Sequence, residues 1–204
     1  MKQNNVISSA VYLAMLKAKQ KDPYYRADLP ILIQGDLDID GEQLGVQHIH
    51  LEQVTTTGSL MIRNSAPQKG AGMISLEACN FLGGLRVENV DISHIIMSDV
   101  RAKWINLWRC KAISADLREI VIDDGGVFDM SGLELQRDLS LTNITYTAVE
   151  LFQRNVFKTI TTGFVQTNDP VLALQFRMAG IPVYITTKTA QEMLTDPARL
   201  VLQH

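Results

Sequence analysis

Residues 85–124, written in fives, read LRVEN VDISH IIMSD VRAKW INLWR CKAIS ADLRE IVIDD. Each unit opens on an apolar residue, one further residue and a second apolar residue: Leu85/Val87, Val90/Ile92, Ile95/Met97, Val100/Ala102, Ile105/Leu107, Cys110/Ala112, Ala115/Leu117 and Ile120/Ile122. A helix repeats at 3.6 residues and an extended strand at 2, so either would carry these residues off a common face. The chain must bend once per unit. Two inward residues on each short side then build a continuous apolar interior, and the coils stack through backbone hydrogen bonds at roughly 4.8 Å. The pattern predicts a β-solenoid in which no coil can bury its own face alone.

Working outward, Asp123-Asp124-Gly125-Gly126 reads as a turn insertion, after which Phe128/Met130 and Leu133/Leu135 resume the spacing of five. Leu139/Leu141 follows after six, and Ile144/Tyr146 and Val149/Leu151 return to five. Upstream, Leu37/Ile39, Leu44/Val46, Ile49/Leu51, Leu60/Ile62 and Ile74/Leu76 have the same form at irregular spacing, with Ser65 to Gly72 as a protruding loop. The solenoid is therefore placed at residues 35–151. Residues 1–34 are expected to form an N-terminal helix and cap, with Ile7, Val11, Ala14 and Ala18 on its packing face and Asp22-Pro23 as its stop. Residues 152–204 are expected to form an α-helical capping or oligomerisation appendage. Its first helix spans about 169–179, between the Asn168-Asp169-Pro170 cap and Gly180; a strand follows over 181–186, then a second helix opened by Thr189 and Glu192.

Some units resemble the pentapeptide-repeat family: a small residue, Asp or Asn, Leu or Phe, and two variable positions. Ala115-Asp116-Leu117-Arg118-Glu119 matches fully, Cys79-Asn80-Phe81-Leu82-Gly83 closely, and Val90-Asp91-Ile92-Ser93-His94 and Phe128-Asp129-Met130-Ser131-Gly132 in part. The resemblance is clearest over residues 74–151 and implies a mainly β fold, a right-handed, four-sided β-helix with four pentapeptides per coil. Large β-branched residues stand at several positions where the family prefers Ala, which implies a cross-section wider or less regular than the family's square. Relatives often dimerise through a C-terminal helix, so the resemblance also implies a homo-oligomer formed through the C-terminal segment. That segment suits the role, with six charged residues between 161 and 204, three of each sign.

Composition narrows the function classes. The chain has 204 residues, 46% of them hydrophobic, and a formal net charge of -3, with no apolar run near the length of a membrane span. No global basic field exists to hold nucleic acid phosphates, so direct nucleic acid binding is not expected. Cys79 and Cys110 have no metal-binding or redox spacing and point to a reducing, cytoplasmic setting. The uncharged stretch from Val6 to Leu16 runs into Lys17, Lys19 and Lys21 without a small-residue cleavage site, which favours a helix over a signal peptide.

The couplets require an outward row of polar residues, and the candidate chemical groups fall within it. His48, His50 and Glu52 alternate on one strand face and offer metal-ligand types, and Asp36, Asp38, Asp40 and Glu42 form an acidic row without the twelve-residue loop of an EF-hand. Both are what the solvated face beside inward residues would contain. Asp91, Ser93 and His94 have the residue types of a nucleophilic triad but cannot assemble one from a single short segment. No nucleotide-binding or zinc-protease motif occurs, and neither metal nor cofactor is expected.

Trp104 and Trp108 fall at corners, with Arg101, Lys103 and Arg109 around them, and Trp and Arg are enriched where proteins bind one another. These five residues form the expected partner-binding site of a non-catalytic protein-binding scaffold; cover by the protein's own helices is the competing account of the two rings. A gyrase- or topoisomerase-binding DNA mimic is the alternative that one branch of the family implies. Residues 85–132 hold eight acidic residues (Glu88, Asp91, Asp99, Asp116, Glu119, Asp123, Asp124, Asp129) against six basic ones (Arg86, Arg101, Lys103, Arg109, Lys111, Arg118), a balance poor for mimicry. A twenty-residue coil instead predicts cross-coil pairs Asp91/Lys111, Lys103/Asp123 and Arg109/Asp129. A carbohydrate-active β-helix enzyme is the third reading and requires a groove lined by clustered carboxylates.

Overall fold

A computed structural model describes residues 5–21, 30–46, 48–65, 72–123, 125–130, 132–146, 164–178 and 180–186. In chain order its elements are β1 (Asn5–Ile7), α1 (Ser9–Lys21), β2 (Ile31–Ile33), β3 (Leu37–Asp40), α2 (Gly41–Leu44), β4 (His48–Glu52), β5 (Val54–Thr56), β6 (Leu60–Arg63) and β7 (Met73–Phe81). These continue into β8 (Leu85–Ala102), β9 (Ile105–Ile122), β10 (Phe128–Asp129), β11 (Leu133–Leu135), β12 (Leu139–Thr145), β13 (Val165–Thr167), α3 (Pro170–Met178) and β14 (Val183–Ile185).

The couplets set the geometry. Both members of every couplet from Leu85/Val87 to Ile120/Ile122 are buried, and the residue between them is outward. β8 and β9 lie parallel, with Leu85 beside Ile105, Val90 beside Cys110, Ile95 beside Ala115 and Val100 beside Ile120. Four couplets therefore close one coil, twenty residues after it began. Alternate corners turn through one left-handed residue: Asn89, Asp99, Arg109 and Glu119 have φ of 53°, 53°, 51° and 53°. Asn and Asp enter that region at modest cost, while Arg109 and Glu119 are held there by the coil's closure.

Stacking the coils yields a parallel, mainly β solenoid of about six turns with four columns of inward residues. The first column runs Leu37, Leu60, Leu85, Ile105, Phe128. The second holds Val90, Cys110 and Leu133. The third runs Ile49, Ile74, Ile95, Ala115, Leu139, Val165, Val183. The fourth starts at β1 and runs through Ile33, Thr56, Phe81, Ala102 and Ile122, with Cys79, Val100, Ile120 and Ile144 stacked beside it two residues earlier on their strands. Each fully buried Ile or Leu contributes about 1.5–3 kcal/mol relative to exposure, which makes this continuous core the main source of stability. Two threonines occupy inward positions. Thr56 Oγ1 donates to the Gly58 carbonyl at 2.8 Å and Thr167 Oγ1 accepts from Asp169 N at 3.1 Å, so neither hydroxyl is buried unpaired.

Three expectations are corrected. The sheet begins upstream of residue 35, because β2 pairs with β5 and β1 pairs with β2. The packing face of α1 is not the Val11/Ala14/Ala18 stripe, whose residues are exposed, but Tyr12 and Leu16, flanked by Leu13 and Met15; Ile7 precedes the helix in β1. The solenoid also continues past residue 151, since β13 pairs with β12 and β14 with β13. Helix α3 sits between those strands, with Asp169 Oδ1 accepting from Val171 N and Leu172 N and with Leu172, Ala173 and Phe176 buried. The expected second C-terminal helix and the Val149/Leu151 couplet lie outside the described residues. No helix among the described residues is long and apolar enough to cross a membrane.

Candidate functional site

The Trp corner is built by the inward pair Ile105 and Leu107. Because these point into the core, Trp104, Asn106 and Trp108 project outward along one side of the coil. Trp104 is only half-buried, and it lies over Gly84 of the preceding coil: a Cβ on Gly84 would stand 2.2 Å from Trp104 Cε2. The next coil is equally tight, since a Cβ on Gly126 would stand 1.8 Å from the Lys103 carbonyl oxygen. Gly84 thus clears the space for the Trp104 ring, and Gly126 the space for the backbone carbonyl just ahead of it. The rings are covered by neither α1 nor α3 to the extent of being lost from the surface.

Trp108 is 40% exposed, and the Arg109 guanidinium carbon stands 5.9 Å from its ring centroid, within cation–π range. The left-handed φ of Arg109 belongs to the corner that presents this pair. Leu82, 51% exposed, follows Phe81, which pairs with Ala102 just ahead of Lys103-Trp104; it adds an apolar side chain to the Lys103-Trp104 corner, one coil away and at the other end of the side from Trp108. Sequence reasoning missed Leu82, although its variable position in the Cys79 unit marked it as outward. Arg101 is engaged with Asp123, Nε to Oδ1 at 2.8 Å.

The predicted cross-coil pairs divide. Asp91 and Lys111 are register neighbours, and Lys111 Nζ reaches Glu134 of the following coil at 3.3 Å. Lys103/Asp123 and Arg109/Asp129 do not form as predicted. Asp123 takes Arg101, and Asp129 lies beside Asn106 and accepts from its Nδ2 at 2.8 Å. Ala102 still pairs with Ile122 twenty residues on, but the turn at 123–126 moves the partner of Ile105 to Phe128, so for Arg109 a count of twenty no longer finds the neighbour.

The other candidate groups have structural employment. Arg63 grips Asp38 through two hydrogen bonds of 3.0 Å, and Asp36 Oδ1 accepts from Ser59 N at 2.6 Å. Asp40 caps α2 through Gln43 N and accepts from Asn64 Nδ2, both at 3.0 Å; the Gln43 hydrogen bond is the main reason its carboxyl sits below the usual range. His50 Nε2 stands 3.8 Å from Glu52 Oε2, and no group of three potential ligands converges among the described residues. Asp91, Ser93 and His94 are not brought together: Ser93 Oγ donates to the Gly72 carbonyl, while His94 Nδ1 shares a 2.7 Å hydrogen bond with Ser114 Oγ. Burial pushes the Cys79 thiol up to about 11 and raises Cys110 further, so both are inert at neutral pH.

Compared with protein-family models, curated proteins and solved structures, the chain matches none.

Proposed function

We propose that the protein is a non-catalytic protein-binding scaffold whose contact surface is the corner formed by Leu82, Trp104 and Trp108 with Arg101, Lys103 and Arg109. The observation that carries this reading is the exposed Trp108 with Arg109 over its ring, presented by the most regular coils of the solenoid. A large aromatic and a guanidinium already fixed in place lose little freedom on binding, which is how interface anchors act. The solenoid is read as right-handed and pentapeptide-repeat-like, the protein as cytoplasmic and self-associating through its C-terminal segment. The described surface gives DNA mimicry little support, because its charges alternate along the coils: Asp38 with Arg63, Arg101 with Asp123, Lys111 with Glu134.

The test is capture from a native lysate by the wild-type protein and by Trp108→Ala/Arg109→Ala, followed by calorimetric titration of the identified partner. The reading requires a partner bound with at least tenfold loss in the double variant, of the order expected for an interface hot spot. Equal affinity for both forms would move the interface elsewhere.

A further inference from the structure

A second surface lies on the outer face of the third column, away from the Trp corner. A cleft of about 560 Å³ opens there, lined by Asp116, Asp138, Ser140, Thr142, Phe164 and Gln166 among others. Asp116 stands beside Ser140 and Ser140 beside Gln166, so three coils place one polar side chain each along a line parallel to the solenoid axis. Gln166 is followed on the next coil by Tyr184, 62% exposed and packed edge-on to Phe164 with centroids 4.7 Å apart. The track therefore runs from a carboxylate through a hydroxyl and an amide to an aromatic pair.

Its chemistry selects a ligand class. The side chains of Ser140, Thr142 and Gln166 have no hydrogen-bond partner among the described residues, leaving donors and acceptors mixed along the floor. Arg118 is committed to Asp116, Nε to Oδ1 at 2.7 Å, so its charge is spent and Asp138 leaves the cleft net negative. Phosphates and uronates are disfavoured by that balance. Coils repeat at roughly 4.8 Å, close to the length of one pyranose ring, so successive sugars could each meet one polar rung. Aromatic faces commonly supply the apolar contact for the C–H side of a sugar, and Tyr184 is placed to do so at the end of the track.

We infer that this face binds a linear, uncharged oligosaccharide laid along the solenoid axis. The site is independent of the proposed protein-binding corner. The experiment titrates the full chain by calorimetry and saturation-transfer NMR with cellohexaose, maltohexaose, mannohexaose and trigalacturonate. Saturable binding of at least one neutral hexasaccharide is expected, stronger than trigalacturonate, with loss of about five- to tenfold in Gln166→Ala and in Tyr184→Ala, the scale of one lost polar or stacking contact. Ser140→Trp, which fills the cleft from an outward position without entering the core, should abolish binding, whereas Trp108→Ala should leave it unchanged. Absence of saturable binding by all three neutral sugars, tighter binding of trigalacturonate, or binding that survives Ser140→Trp in a folded variant would overturn the inference.

Discussion

The coils at 85–122 and those at 31–63 solve the same closure problem differently. In the later pair, Leu85 meets Ile105 after twenty residues, and alternate corners are single left-handed residues. In the earlier pair, Ile31 meets Val54 and Leu37 meets Leu60, three residues more per coil. The surplus is taken up by the short helix α2, capped by Asp40 at one end and by left-handed Gly45 at the other. Asp36, Asp38 and Asp40 then fasten that coil to Ser59, Arg63 and Asn64 of the next. The sides are invariant and the corners carry the variation: inward couplets decide where the core runs, and a longer corner needs polar fastening that a one-residue corner does not.

The largest expected effect breaks the feature the two regions share. Ile120 is fully buried, whereas Val121 beside it is 37% exposed and outward. An unpaired carboxylate at an inward position costs several kcal/mol, a large part of a domain's stability. Ile120→Asp should therefore lack a cooperative thermal transition, while Val121→Asp should melt within a few degrees of wild type, its cost confined to about 1 kcal/mol of strand preference. Circular dichroism melts of both variants decide it. Not every outward position is so tolerant: Asn106 Nδ2 donates to Asp129, and in Asn106→Asp a new carboxylate would face an existing one.

A smaller effect separates the regions. Asp40→Ala removes the cap of α2 and the acceptor for Asn64, and loss of such a cap costs about 0.5–2 kcal/mol. Hydrogen exchange should show the change concentrated in residues 31–63, with 85–122 little altered. The pH dependence has the same origin. Asp40 has a folded pKa below that of the unfolded chain, so its contribution is present above an unfolded value near 3.9 and is lost as pH falls through the folded one. Wild-type stability should fall over that acid range more steeply than that of Asp40→Asn, as read from urea midpoints at a series of pH values. Parallel curves would assign the acid sensitivity to other groups.

The smallest effect sharpens the account of the regular coils. Arg109 and Glu119 occupy the left-handed region without the local hydrogen bonding that helps Asn or Asp. Glycine has no Cβ penalty there, so Glu119→Gly should raise the melting temperature slightly, by an amount set by at most about 1–2 kcal/mol less the extra unfolded-state entropy. A lower melting temperature would mean that the Glu119 side chain contributes more than its conformation costs.

The eight couplets from Leu85 to Ile122 were legible because their corners are all one length, so the period survives in the sequence. Ile31/Ile33 was not legible, because the corner insertions on either side erase the period even though its burial is the same. Val165/Thr167 was missed for a second reason: Thr167 is an inward polar residue whose hydroxyl serves the following turn, which an apolar pattern cannot show. The α1 face was misread because Val11, Ala14 and Ala18 are apolar at helical spacing, as are Tyr12 and Leu16, and only packing selects between the stripes. At the candidate site, the corner placement of Trp104 and Trp108 followed from the register. The settling of Trp104 on Gly84 depended on a contact one coil away, and the cleft depended on rungs drawn from three coils.

The central claim is the parallel register of those coils, with Asp91, Lys111 and Glu134 stacked at one outward position on three successive turns. Paired cysteines measure it most directly, since neighbouring Cα atoms fall within disulfide reach and those two coils apart do not. Under mild oxidation, peptide mapping of Asp91→Cys/Lys111→Cys should find the 91–111 disulfide in high yield, with the buried Cys79 and Cys110 unmodified, and Asp91→Cys/Glu134→Cys should give no intramolecular link. A 91–134 link, or a folded 91/111 variant whose thiols remain free, would contradict the register and with it the four-sided coil.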